Sequence, residues 1–72
     1  MNIEYPVKVW AEGRDAGVAC SWEGVQEVLE DYYEDCSVDI EDVEEGLGCH
    51  VLYIIVDGWN VETFITPIIV CK

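Results

Sequence analysis

The chain has 72 residues, a hydrophobic fraction of 51% and a net charge of -13 at pH 7. A chain of this length accommodates one domain, which we expect to span residues 1–72. Its three Trp and four Tyr exclude a disordered acidic tail, because such tails are poor in aromatic residues. The net charge repels nucleic acid and anionic lipid, so we expect no direct contact with either, and it attracts basic partners.

The N-terminal residues do not follow the basic-then-apolar pattern of a secretory leader. The longest apolar run, residues 51–56, is far shorter than the ~20 residues that cross a bilayer. We therefore expect a soluble cytoplasmic protein, located in the host cytoplasm if the chain is encoded by a phage.

Residues 3–11 alternate between apolar and other side chains, which predicts a half-buried strand. Pro6 is typical of an edge strand or of a strand start. Residues 12–17 then predict a turn, and residues 18–20 predict a short returning strand.

Residues 22–36 predict an amphipathic helix of about four turns. Its apolar positions recur at steps of three and four: Trp22, Val25, Val28, Leu29, Tyr32 and Cys36. Ser21 is a favourable N-cap, and Glu23 lies in the first turn, where the helix dipole favours a negative charge. The outer face carries acids at each turn: Glu23, Glu27, Glu30 and Glu34, flanked by Asp31 and Asp35.

The segment that follows, SVDIEDVEEG at residues 37–46, allows more than one interpretation. Its apolar residues fit a strand with a slip, whereas Asp39 fits the cap of a one-turn helix that ends at Gly46. We favour an irregular acidic connection with a short extended piece at its start.

Asp57 and Gly58 stand between two apolar runs, which is a strong signal for a β-hairpin. A two-residue loop pairs Val56 with Trp59, and the same register gives the pairs Ile55–Asn60, Ile54–Val61, Tyr53–Glu62, Leu52–Thr63, Val51–Phe64 and His50–Ile65. Residues 49–56 are apolar on both faces, so this strand is central or covered twice. Pro67 cannot donate to a ladder, which places the last strand at an edge or gives it a bulge.

Together these elements predict a small α+β domain of the ββαββ type. We expect two layers: a mainly antiparallel sheet of three or four strands, and one amphipathic helix packed on one face.

No motif for catalysis or metal binding is present. The spacing of Cys20, Cys36, Cys49 and Cys71 matches no zinc or redox signature, so we expect four reduced thiols; two disulfides or a Cys/His zinc site are the less favoured alternatives. The acidic segment also departs from the calcium-loop pattern. With His50 as its single histidine, the chain is predicted not to be an enzyme, and we expect no cofactor and no metal.

The acids are concentrated in one region of the chain. Eleven of the sixteen fall in residues 23–45, and residues 15–71 contain no Lys or Arg. Along a helix, Glu23 to Glu34 spans about 16 Å, over which one strand of B-DNA carries about five phosphates. A solvated helix face usually also contains Lys one turn away, which is lacking here. We therefore predict an acidic ridge that binds a basic partner, made of Glu23, Glu27, Glu30, Asp31, Glu34, Asp35, Asp39, Glu41, Asp42, Glu44 and Glu45.

A second candidate surface is the sheet face that lies away from the helix. One helix cannot cover both faces of a sheet, so either loops fold over this side or it is an interface, for a second copy or for another protein. We expect this apolar interface to contain Trp10, Val51, Tyr53, Ile55 and Phe64.

In size and composition, the chain resembles the small acidic proteins that phages make to block host nucleic-acid enzymes, among them anti-restriction, anti-CRISPR and polymerase inhibitors. The resemblance implies a non-enzymatic inhibitor that mimics DNA and occupies the basic surface of a nuclease, CRISPR effector or polymerase. The alternative is a structural or assembly module that forms a homodimer or larger homo-oligomer through the apolar sheet face, with acidity serving solubility.

Overall fold

The computed structural model describes residues 3–68, which form a five-stranded antiparallel sheet with one helix. The elements are, in chain order, β1 (Val7–Ala11), β2 (Arg14–Ala19), α1 (Trp22–Tyr32), β3 (Val38–Gly46), β4 (Cys49–Val56) and β5 (Trp59–Pro67). The strand order across the sheet is β2-β1-β5-β4-β3. The predicted α+β class is confirmed, and the predicted ββαββ order with three or four strands is only roughly matched, because the acidic segment forms an additional strand.

The β4–β5 hairpin forms in the predicted register. Val56 faces Trp59, and every pair expected further along the hairpin is present, as far as His50 with Ile65. Strand β4 lies between β3 and β5, which confirms its central position. Strand β5 is also central, so the prediction of an edge strand or a bulge at Pro67 is wrong. Pro67 is instead the last residue of β5, paired with Val7, so its missing N–H falls where the ladder ends.

The N-terminal hairpin is tighter than predicted. Strand β1 starts at Val7, directly after Pro6, and lies between β2 and β5. The turn consists of Glu12 and Gly13, both with positive φ, and β2 already begins at Arg14. A bulge shifts the register between Val9 and Trp10, which lets β2 follow the twist of its neighbour.

Helix α1 begins where predicted and ends earlier. The Ser21 Oγ accepts the backbone N–H of Gly24 at 3.0 Å, which confirms the N-cap. The helix ends at Tyr32, and not at Cys36, and Asp35 adopts a left-handed φ of 63°. A continued helix would place several carboxylates at its negative C-terminal end, where the last turn has no basic residue to offset them.

Strand β3 corrects the interpretation of residues 37–46 as an irregular connection. Nine residues pair antiparallel with β4, and the register shifts between Ile40 and Asp42, which leaves Glu41 as the extra residue of a β-bulge. Of the alternatives, the strand with a slip is therefore the one that the structure contains.

The core lies between α1 and one face of the sheet. Val25 and Leu29 of the helix are fully buried against a layer formed by all five strands: Val7, Val9, Ala11, Ala19, Val38, Leu52, Ile54, Val56 and Ile65. The Cα positions extend over 41 × 21 × 21 Å, so the molecule is elongated. Among residues 3–68, no helix combines the length and apolarity needed to cross a membrane.

Candidate functional site

The predicted acidic ridge is divided between the helix and strand β3. Glu23, Glu27, Glu30 and Asp31 are exposed on α1. Glu34 and Asp35 are also exposed, but they lie in the turn after the helix, so Glu34 does not continue the helical row. The ridge is thus shorter on the helix than expected, and its remaining members are presented by a different element.

The five acids of β3 are all exposed, and the register fixes their directions. Asp39, Asp42 and Glu44 lie opposite Ile55, Tyr53 and Val51, so they project from the sheet face that α1 does not cover; we call this the open face. Glu45 lies opposite His50 and projects from the other face, while Glu41 occupies the bulge. We refer to the ridge residues on α1, in the following turn and on β3 collectively as the acidic surface, although those of β3 project from both faces of the sheet.

A groove separates the helix from β3. It has a volume of about 560 Å³ and is lined by Trp22 and Gln26 on one side and by residues 39–43 on the other. The Gln26 Nε2 donates to the Val38 carbonyl at 2.7 Å, which ties α1 to the start of the strand. Trp22 and Gln26 were not predicted as site residues, and no pattern in the sequence distinguishes Gln26 from an ordinary helix residue.

The acidic surface has no internal neutralisation by Lys or Arg within the described part of the chain. Across residues 3–68, the one salt bridge joins Lys8 Nζ to Asp15 Oδ2 at 2.9 Å, on the β1–β2 side of the sheet. The ridge carboxylates are therefore free to accept Lys or Arg from another molecule, and each such contact is a charge-assisted hydrogen bond.

The open face brings together the five residues predicted as an apolar interface. Trp10 lies opposite Phe64, and Phe64 lies opposite Val51, so three strands contribute to one row. The rings of Trp10 and Phe64 are stacked, with centroids 6.0 Å apart, and Trp10 Nε1 donates to Thr66 Oγ1 at 3.0 Å. Tyr53 and Ile55 extend this surface along β4.

The open face and the acidic surface meet along β3 and β4. The Tyr53 hydroxyl donates to Glu44 Oε2 at 3.3 Å. The negative charge of Glu44 raises the pKa of Tyr53, and desolvation of the phenol adds a smaller effect. The apolar row is thus bordered by carboxylates on its β3 side.

The described cysteines, Cys20, Cys36 and Cys49, are free thiols, and Cys71 lies outside the described residues. Within residues 3–68, no group of three or more His, Cys, Asp or Glu side chains has an arrangement that could hold a metal ion. Comparisons with family models, curated proteins and solved structures found no match for this chain. The function is therefore argued from the geometry of the two surfaces.

Proposed function

We propose that the protein is a non-enzymatic inhibitor that binds, through its acidic surface, the basic nucleic-acid-binding surface of another protein. The observation that carries this proposal is the distribution of charge. Eleven carboxylates are presented by α1, the turn after it and β3, and residues 15–68 supply no Lys or Arg to offset them. Such a surface is costly in a small domain because the charges repel one another, and a basic partner removes that cost.

The spacing of the helical acids supports mimicry of a phosphate backbone. From Glu23 to Asp31 the helix rises about 12 Å, and it presents four carboxylates over that distance. One strand of B-DNA carries between three and four phosphates over about 12 Å. The linear charge density of α1 is thus comparable to that of the ligand it would displace, and association would be fast and weakened by salt.

The partner class follows from this chemistry. A groove that binds nucleic acid is lined by Lys and Arg, as in a nuclease, a CRISPR effector or a polymerase. The size and composition that the chain shares with phage inhibitors of such enzymes are consistent with this choice.

The proposal is tested by charge reversal on the helix. The double variant Glu27→Lys, Glu30→Lys should bind its target at least about tenfold more weakly than the wild type. Asp15→Lys, on an exposed residue of β2 at the sheet edge opposite to β3, should change the affinity little. Bacterial nucleic-acid-binding enzymes retained on a column of the protein and eluted by salt serve as targets. The measurement is competition with labelled DNA for each enzyme. An equal loss from Asp15→Lys would contradict a localised acidic surface.

The open face favours a second candidate function, an assembly module that forms a homodimer. Phe64 is 38% exposed beside Trp10, and no described element covers this row. Sedimentation equilibrium at low and high salt separates the two functions. A dimer that is independent of salt and lost in Phe64→Asp would support assembly, whereas a monomer at both salt concentrations would contradict it.

A further inference from the structure

The free edge of β3 presents unpaired backbone groups to solvent. The Ser37 carbonyl accepts the Asp57 N–H at 2.9 Å, so the backbone groups of Ser37 point toward β4. Because these directions alternate along an antiparallel strand, the groups of Val38 and Ile40 point away from β4. Beyond the bulge the same is true of Val43 and Glu45, and β3 has no second neighbouring strand within residues 3–68.

Two groups on this edge already have side-chain partners. Gln26 donates to the Val38 carbonyl at 2.7 Å, and the Val43 N–H donates to Asp42 Oδ1 at 2.8 Å. Both contacts confirm the outward direction of the backbone at these positions. The Val38 N–H, the Val43 carbonyl and both backbone groups of Ile40 and Glu45 remain available to an added strand.

The charges on β3 determine which strand can be added. Pairing between the β3 edges of two copies would place carboxylates opposite carboxylates, which is destabilising, and charged edge strands are a common protection against such aggregation. An extended segment rich in Lys or Arg would instead place basic side chains opposite these carboxylates. It would gain main-chain hydrogen bonds and ion pairs together.

We propose that β3 accepts a basic, extended segment of the partner protein as an additional strand. This inference rests on the proposed function for the sign of the partner's charge, and it specifies the mode of contact as strand addition at an exposed sheet edge. The alternation of β3 also specifies the pattern of the segment. Side chains on the open-face side lie beside Asp39, Asp42 and Glu44, and those on the other side enter the groove lined by Trp22.

The segment that fits is therefore one in which basic residues alternate with apolar residues. Basic side chains would pair with the carboxylates on the open-face side. Apolar side chains would contact Trp22, Ile40 and Val43 in the groove, where these three are only partly buried. This pattern distinguishes the inference from simple attraction of any positive charge.

The test uses a synthetic peptide of seven to nine alternating Lys and Val residues, blocked at both ends, and a second peptide of the same sequence with N-methylated backbone amides. Both carry the same charge, but the second cannot donate hydrogen bonds to an edge. We expect the first peptide to slow hydrogen exchange of the Ile40 and Glu45 amides at least about tenfold, and the methylated peptide to bind at least about tenfold more weakly.

Variants of the protein provide matched controls. Glu45→Pro removes an outward N–H without removing a ladder bond to β4, and Glu45→Gln removes only the charge. Weaker peptide binding by Glu45→Pro than by Glu45→Gln supports strand addition. Glu27→Lys, on α1, is expected to weaken peptide binding less than Glu45→Pro does. Equal binding of the methylated peptide, or protection confined to α1, would overturn the inference and leave the proposed function standing. If neither this peptide nor any basic protein binds at low salt, both the strand-addition inference and the proposed function are contradicted.

Discussion

The two faces of the sheet both carry apolar side chains, but only one of them is covered by α1. On the covered face, Leu52, Ile54 and Ile65 are excluded from solvent by the helix. On the open face, Trp10, Val51 and Tyr53 are only partly buried, because their contacts come from neighbours within the same sheet. Alternation along a strand thus identifies two faces, while the position of a single helix decides which of them becomes the core.

Truncation of one residue on each face is expected to give the largest difference. Leu52 and Val51 are neighbours on β4 and project from opposite faces. Leu52→Ala leaves a cavity in the core and should lower the free energy of unfolding by about 2–5 kcal/mol. Val51→Ala should lower it by about 1 kcal/mol or less, since Val51 is partly exposed. Urea unfolding monitored by Trp fluorescence measures both, and equal losses would mean that the open face is covered in solution.

Sequence reasoning anticipated the faces better than the number of strands. The hairpin around Asp57 and Gly58 was predictable to the residue, because the turn fixes the register and the alternation of side chains fixes the face on which each residue lies. Strand β3 was one of the alternatives but was not favoured, because the bulge at Glu41 interrupts a period of two: Val38 and Ile40 project to the covered face, and so does Val43, three residues later. A single inserted residue thus makes a strand look irregular.

For the helix and the candidate surfaces, too, only the features that depend on local sequence were predictable. Ser21 identified the start of α1, because capping is a local interaction. Its end depends on repulsion among carboxylates near the C-terminus, which apolar periodicity does not report. The residues of the open face were predictable from alternation. The free edge of β3 was not, because it depends on which strands become neighbours.

Replacing either of two threonines of β5 by Val should change the stability of the protein in opposite directions. Thr63 is 0% exposed on the covered face, and its hydroxyl has no hydrogen-bond partner within residues 3–68. Thr63→Val removes a buried polar group and should stabilise the protein by about 1 kcal/mol. Thr66 accepts a hydrogen bond from Trp10 on the open face, so Thr66→Val should destabilise it by about 1 kcal/mol. Thermal unfolding of the two variants is the measurement, and a loss in both would show that the Thr63 hydroxyl has a partner.

A smaller effect is expected in the alkaline titration of two tyrosines. Burial, and secondly the negative charge of Glu12, raise the pKa of Tyr33 from 10.0 to about 12. On the open face, the charge of Glu44 is the main cause of the raised pKa of Tyr53. Because salt screens exposed charges and leaves burial unchanged, added salt should lower the pKa of Tyr53 more than that of Tyr33. Ultraviolet absorbance of Tyr33→Phe and Tyr53→Phe assigns each transition, and equal salt shifts would contradict the difference in cause.

The raised pKa of Tyr33 also has a consequence for stability. The unfolded chain loses this proton near pH 10, whereas the folded chain keeps it until about pH 12. The unfolded state therefore binds fewer protons between these values, and the free energy of unfolding falls as the pH rises from 10 to about 12. Tyr33→Phe should lack this part of the alkaline decrease in urea unfolding, and an unchanged decrease would assign it to other groups.

The elongated outline of the molecule, 41 Å long and 21 Å in both other directions, affects how its mass must be determined. An elongated particle diffuses more slowly than a sphere of the same mass, so a monomer of this protein would elute slightly earlier from a gel-filtration column than its mass alone predicts. Mutual repulsion between the carboxylates and a weakly acidic column matrix would exaggerate that error at low ionic strength. Light scattering, which reports molar mass independently of shape and of such repulsion, is the method that would avoid both errors.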